Sequence, residues 1–161
     1  MVEFLLPWMQ RLEGSAFGAL MRSSELFYPA ANLLHLAGLV MLLGAMLLLD
    51  LRLLGLAREV PVQAASRRLT PIGIAGLLLM LLTGFCLFAA DAGPLLGNWL
   101  LQLKLLLVAL GIINALLFRA LWTASLEHWD LRPPLAGRLQ VGLSILLWCG
   151  AMAAGRLLAY V

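Results

Sequence analysis

Charged side chains are scarce in this sequence. They make up 12% of its 161 residues, 11 Lys and Arg against 8 Asp and Glu. A soluble domain of this length exposes too much surface to carry so few charges. The same scarcity excludes intrinsic disorder, which needs solvating charge. Cysteine occurs twice, too seldom for a disulfide-built scaffold. The net charge of +3 is not gathered into one basic patch, so nucleic acid is not an expected partner. No hydrolytic triad, carboxylate pair, phosphate loop or Cys-rich zinc pattern is present.

What the sequence does have is apolar length. The hydrophobic set supplies 63% of the residues, and the mean hydropathy is +1.01. A bilayer is crossed by roughly 20 mostly apolar residues in a helix. Four stretches satisfy that rule, at about 30–51, 71–90, 99–122 and 135–160. No long run alternates with period two, so a barrel strand is not expected. Backbone groups in lipid must bond to one another, which makes the spans helices. The expected fold is therefore an all-α integral membrane protein, a four-transmembrane-helix bundle forming one domain over 1–161. The bilayer itself is its first partner.

Local signals punctuate the spans. Thr70 followed by Pro71 reads as a cap and a first-turn proline opening the second helix. Asp91-Ala92-Gly93-Pro94 closes it, and Arg132-Pro133-Pro134 separates the third span from the fourth. Ahead of the spans, residues 1–28 lack the basic start of a signal peptide. Leu5, Leu6, Trp8, Met9, Leu12, Phe17, Leu20 and Met21 recur there at helical spacing. That pattern predicts an interfacial amphipathic helix.

Basic residues set the expected orientation. Arg52, Arg58, Arg67 and Arg68 flank the first connection, and Arg119, Arg132 and Arg138 flank the third. The turn from Asp91 to Asn98 has none. The positive-inside rule puts those two connections in the cytoplasm and both termini outside a bacterial inner membrane.

Ionisable residues inside spans are costly and are functional candidates by default. His35 lies five residues into the first span, about 7 Å below the outer helix end. A neutral imidazole there suits a haem iron or copper ligand, or a proton carrier. The plainer reading is a histidine hydrogen-bonded to a neighbouring helix. Lys104 lies at nearly the same depth in the third span, roughly 8 Å down. It shares one helix arc with Val108, Gly111 and Asn114, so it is expected to face the bundle, where it can hold a propionate or anionic substrate. Snorkelling to the interface is its alternative. Arg156 stands near the outer end of the fourth span as a charge partner. Met152, roughly 12 Å from that end, has a thioether that can ligate but more commonly only packs. Asp50 and Arg52 end the first span and, two residues apart, do not share a face. Asp50 is expected to reach Arg67, Arg68 or Arg119 as a structural clamp. His128 falls in the stretch Glu127-His128-Trp129-Asp130, read as solvated loop. Cys86 and Cys149 sit in apolar surroundings and read as inert small hydrophobes. Gly38, Gly44, Gly73, Gly76, Gly84, Gly111, Gly142, Gly150 and Gly155 are expected at close helix contacts.

Two stretches carry a resemblance. One runs from Arg22-Ser23-Ser24-Glu25-Leu26-Phe27-Tyr28-Pro29 through Leu34-His35-Leu36-Ala37-Gly38 to Leu49-Asp50-Leu51-Arg52-Leu53-Leu54-Gly55. The other is Thr83-Gly84-Phe85-Cys86-Leu87-Phe88-Ala89-Ala90-Asp91-Ala92. Together they resemble an uncharacterised family of short bacterial four-helix membrane proteins, over roughly residues 22 to 119. More distantly, Trp99 to Lys104 with Asn114 and Arg119 is similar to a helix of the copper-resistance D-type membrane proteins. It is also similar to one in the J-type protoporphyrinogen oxidases. That similarity touches only His35 and Lys104, and implies a first-helix histidine ligand.

The functional expectation is a membrane redox, haem-binding or metal-binding protein with its site near the outer leaflet. His35 is the candidate metal ligand, with Lys104 and Arg156 as cofactor-binding residues and haem b or copper as the cofactor. The alternatives are a non-catalytic membrane subunit or scaffold, and a small metal or metabolite transporter. The first is expected to join a partner subunit or a second copy, and the transporter needs an oligomer.

Overall fold

The computed structural model describes residues 2–160, and of residues 2–5, 96 and 159 only the backbone. Seven α-helices follow one another: α1 (Val2–Glu13), α2 (Ala16–Ser23), α3 (Phe27–Leu54), α4 (Val62–Ala90), α5 (Ala92–Leu96), α6 (Trp99–Trp122) and α7 (Leu135–Leu157). Short 3-10 turns follow α6 and α7. No strand occurs among the described residues. α3, α4, α6 and α7 are each long and apolar enough to cross a membrane.

Their outward faces show what solvent they are built for. Only 17% of the most apolar window of α3 is buried within the chain. Leu33, Val40 and Leu146 are about as exposed as surface lysines usually are, at 69%, 72% and 72%. In water each such side chain forgoes about 25 cal/mol per Å² of burial, whereas in hydrocarbon it is already solvated. The chain is a multi-pass membrane protein.

The bundle consists of two hairpins. α3 packs along α4, α6 packs along α7, and the hairpins meet where α3 lies against α7. Small residues bring the first pair together. A Cβ on Gly76 would lie 2.5 Å from the Leu42 backbone nitrogen, and one on Gly38 would lie 3.0 Å from the Gly76 carbonyl oxygen. Dispersion contact and backbone proximity of this kind replace the hydrophobic effect between helices in lipid. Gly44 and Gly142 differ from expectation, because no atom lies within 4 Å of a Cβ built there.

The helix starting at Val62 corrects the reading of Thr70-Pro71 as a helix start. Pro71 lies inside α4, nine residues along. An interior proline removes one donor and leaves the carbonyl four residues earlier, on Arg67, without its helical partner. Membrane helices tolerate this because neighbouring groups re-satisfy the backbone. The N-terminal segment is two helices instead of one, broken at Gly14 and Ser15, where the Ser15 hydroxyl accepts from the Gly18 amide at 3.1 Å.

Each end of the bundle is fastened by polar bonds. At the end carrying the termini, the Arg22 guanidinium donates to the Ala90 carbonyl at 3.0 Å and to the Glu13 carbonyl at 2.8 Å. The Glu13 carboxylate accepts from the Gly93 amide at 2.8 Å. A cation thus meets the C-terminal carbonyls of α4 and an anion meets the first turn of α5, the favourable sense for both helix dipoles. At the opposite end, the buried Arg52 guanidinium pairs with Asp130 and donates to the Val60 carbonyl at 2.5 Å. The other Asp130 oxygen accepts from the Val62 amide at 3.3 Å, capping α4. Trp129 is 2% exposed, donates to the Leu53 carbonyl at 2.9 Å, and packs on Phe118 and Trp122. The stretch expected to be solvated loop is therefore a plug, although His128 within it is exposed. The buried Leu49, Leu53, Val62, Ala65 and Val141 complete this core.

Candidate functional site

The half of the bundle nearest the termini holds His35 and Lys104. His35 projects from α3 onto α4. Its Nδ1 lies 3.0 Å from Thr83 Oγ1, and Thr83 Oγ1 lies 2.7 Å from the Leu79 carbonyl oxygen. Two oxygens that close require a proton between them, so the threonine hydroxyl donates to Leu79. Thr83 can then only accept from His35, which places the ring proton on Nδ1. The other ring nitrogen, Nε2, keeps its lone pair. The ring lies over Gly84, where a Cβ would come within 3.2 Å of His35 Cε1.

Lys104 has the matching arrangement in the other hairpin. Its stem lies over Gly155 of α7, where a Cβ would come within 3.3 Å of Lys104 Cε. Both side chains are half-buried. Along the arc that Lys104 heads, Gly111 and Asn114 are buried and Val108 is half-buried, so this is the bundle-facing side of α6.

Arg156 is not brought to this pair. It is exposed, donates to the Tyr160 hydroxyl at 2.7 Å, and sits 4.9 Å from the Tyr160 ring centroid. Four residues apart on one helix end, the two side chains satisfy each other. Met152 is exposed on the bundle surface. Cys86 packs against the buried Met21, Ala31 and Ala90, and Cys149 is likewise a free thiol. Among the described residues, no three His, Cys, Asp or Glu side chains gather where they could hold one metal ion.

The opposite half contains a cavity of about 370 Å³ between the two hairpins. Met46, Leu49, Leu53, Phe118, Leu126 and Val141 form its apolar walls. Asp50 enters from α3, Arg67 from α4, Arg119 from α6 and Ser144 from α7. Asp50 is 6% exposed, and its Oδ2 has no hydrogen-bond partner among the described residues. Ser144 is the side chain that reaches its carboxylate. The expected clamp between Asp50 and a nearby arginine is absent among the described residues. The buried arginine that does pair is Arg52, and it pairs with Asp130.

Asn114 and Gln140, also on the cavity wall, lock α6 to α7. Asn114 Nδ2 donates to the Gln140 carbonyl at 3.3 Å, Gln140 Nε2 donates to the Asn114 carbonyl at 3.1 Å, and Trp122 Nε1 donates to Gln140 Oε1 at 2.8 Å. A reciprocal amide pair of this kind fixes the helix register in a medium with no water to compete. Asn114 was visible in sequence as a bundle-facing residue. Gln140 and Ser144 carried a weaker signal, two polar residues one turn apart on an otherwise apolar span.

Residues 10–161 match the family described as "Family of unknown function (DUF6644)". No curated protein and no solved structure matches the chain significantly.

Proposed function

The chain belongs to the DUF6644 family, a family of unknown function, and we propose that it is a membrane redox protein that holds haem b in the half of the bundle nearest the termini. The observation that carries this reading is the contact of His35 Nδ1 with a Thr83 hydroxyl that is itself bonded to the Leu79 carbonyl. A ligating histidine nearly always donates its second ring nitrogen to a fixed acceptor, which sets the tautomer and orients the lone pair. Thr83 and the Leu79 carbonyl do this for His35.

The donor set favours haem over copper. A copper ion held by protein alone asks for several His, Cys or Met donors at one point. Among the described residues no three His, Cys, Asp or Glu side chains gather at one point, His35 included. Haem brings four equatorial nitrogens and asks the protein for an axial base. A basic group for its propionates is the other usual need, and Lys104 lies at the matching depth on the other hairpin. When bound, haem supplies reversible one-electron chemistry. The chain's own part is to present Nε2 at a fixed angle, to balance a propionate with the Lys104 ammonium, and to keep water out with the surrounding leucines. Positive-inside orientation puts this site near the outer leaflet, where an extracytoplasmic redox partner can reach it.

The test is an absorption spectrum of the protein purified gently from membranes of haem-replete cells. A stoichiometric Soret band that is lost in His35→Ala, with the variant still folded, supports the reading. A colourless preparation that takes up no added haemin overturns it.

A further inference from the structure

The cavity in the opposite half of the bundle is a separate site, about 22 Å along α3 from His35 at 1.5 Å per residue. Its charges are arranged in an unusual way. A carboxylate more than nine-tenths buried, Asp50, has one oxygen without a partner. Two arginines, Arg67 on α4 and Arg119 on α6, line the same space and are otherwise exposed. Neither has an ion-pair partner among the described residues. The opposite charges share one cavity and do not touch.

Buried polar atoms in native proteins are satisfied, and an unpaired one marks a missing partner. An unpaired carboxylate in an apolar wall is costly. The other buried side-chain atom without a partner among the described residues is a donor, Trp148 Nε1, and Trp148 does not line this cavity. The Asn114 amide nitrogen is engaged on the Gln140 carbonyl. Pro71 leaves the Arg67 carbonyl without its helical donor. One part of the cavity therefore asks for an N–H-bearing cation, and another part offers guanidinium groups to an anion. Between them lie a thioether, leucines and a phenyl ring. A bare metal ion does not fit this set, because among the described residues that line the cavity no second carboxylate, Cys or His stands with Asp50. The volume of about 370 Å³ is at the lower end of small-ligand pockets, roughly 300–1,000 Å³.

We propose that this cavity binds a zwitterion: an ammonium received by Asp50, an anionic group received by Arg67 and Arg119, and an apolar body against Met46, Leu53 and Phe118. The ammonium gives Asp50 Oδ2 the donor it lacks. The anionic group bridges the gap that keeps the arginines from the carboxylate. Two sources carry this chemistry, a free apolar amino acid and the headgroup of an aminophospholipid. Both are within reach of a cavity that lies between hairpins at the end of a membrane bundle.

The full-length protein in delipidated detergent is titrated by calorimetry with L-phenylalanine, with phenethylammonium and with 3-phenylpropionate. In parallel, native mass spectrometry scores retention of phosphatidylethanolamine against phosphatidylcholine and phosphatidylglycerol. The free-ligand source predicts that phenylalanine binds at least tenfold tighter than either singly charged analogue. The lipid source predicts selective retention of phosphatidylethanolamine, because the quaternary ammonium of phosphatidylcholine has no N–H and phosphatidylglycerol has no cation. In either case Asp50→Asn removes the preference, and Ala115→Leu, which fills the cavity without touching its charges, removes binding. Arg67→Gln with Arg119→Gln lowers affinity for the anionic end and serves if Asp50→Asn does not fold. The proposal is overturned if no zwitterion is preferred over its singly charged analogues in either assay, or if the preference survives both charge variants.

Discussion

His35 Nδ1 on α3 lies 3.0 Å from Thr83 Oγ1 on α4, across a helix seam. The threonine hydroxyl is occupied with the Leu79 carbonyl at 2.7 Å, so the imidazole has one tautomer available. That single hydrogen bond joins helix packing to chemistry. It holds α3 against α4 where Gly84 gives the ring room.

Replacing Thr83 with Val keeps the shape and removes the acceptor. The ring then loses its fixed tautomer and orientation. Haem affinity is expected to fall about 10–100-fold, the usual effect of removing a partner behind a metal-bound histidine. Thr83→Ser restores the acceptor and is expected to retain most of it. Titration of the apo-protein with haemin, read in the Soret region, measures both.

Lys104→Met keeps the aliphatic stem on Gly155 and removes only the charge. If the ammonium holds a propionate, haem affinity falls about 10–150-fold, in line with roughly 1.5–3 kcal/mol for a hydrogen bond to a charged group. Haemin dimethyl ester, which has no free propionate, is expected to bind the wild type and Lys104→Met alike. Unequal binding of the ester would remove Lys104 from that role.

The α3–α4 seam predicts a contrast between two glycines. Gly76→Ala places a methyl 2.5 Å from the Leu42 backbone nitrogen and is expected to cost about 1–3 kcal/mol as overpacking. Gly44→Ala meets nothing within 4 Å and is expected to be neutral or slightly stabilising, since alanine is the better helix former by about 1 kcal/mol. Thermal unfolding of the two variants in the same detergent checks the sign of each.

Asp130→Ala leaves the Arg52 guanidinium buried without its counter-ion and uncaps α4. Removing one partner of a fully buried pair costs about 3–5 kcal/mol. Asp130 is itself partly exposed, with 42% of its side-chain surface accessible, and water moderates the loss, so about 2–3 kcal/mol is expected. Trp129→Ala empties the plug and is expected to cost about 3–5 kcal/mol. Chemical denaturation of the detergent-solubilised protein distinguishes these from the surface control His128→Ala, which is expected to change nothing.

The spans were legible because hydropathy and bilayer thickness are strong, long-range constraints. α6 begins at Trp99 and ends at Trp122 as read, since Asn98 caps it with its side chain on the Leu100 amide at 2.9 Å. The start of α4 was misread for a physical reason. Thr70-Pro71 has the form of a helix start, and tertiary contacts at Val62 and Ala65 override it. The expectation of a similar depth for His35 and Lys104 followed from counting 1.5 Å per residue. Their seating on Gly84 and Gly155 did not, because it depends on which helices become neighbours. Trp129 could have been suspected from a bulky aromatic followed by an acid in a short connection. The Asp50 cavity could not. Asp50 resembled a boundary charge, and the space between it and the arginines exists only because α4 and α6 stand apart.

Absorption spectroscopy of the purified protein tests the central claim most directly, with His35→Ala prepared beside the wild type. One haem per chain is expected in the wild type, with a Soret band that disappears in the variant while the helical circular dichroism is unchanged. A wild-type protein that stays colourless after haemin is added, or a Soret band that persists undiminished without His35, contradicts it.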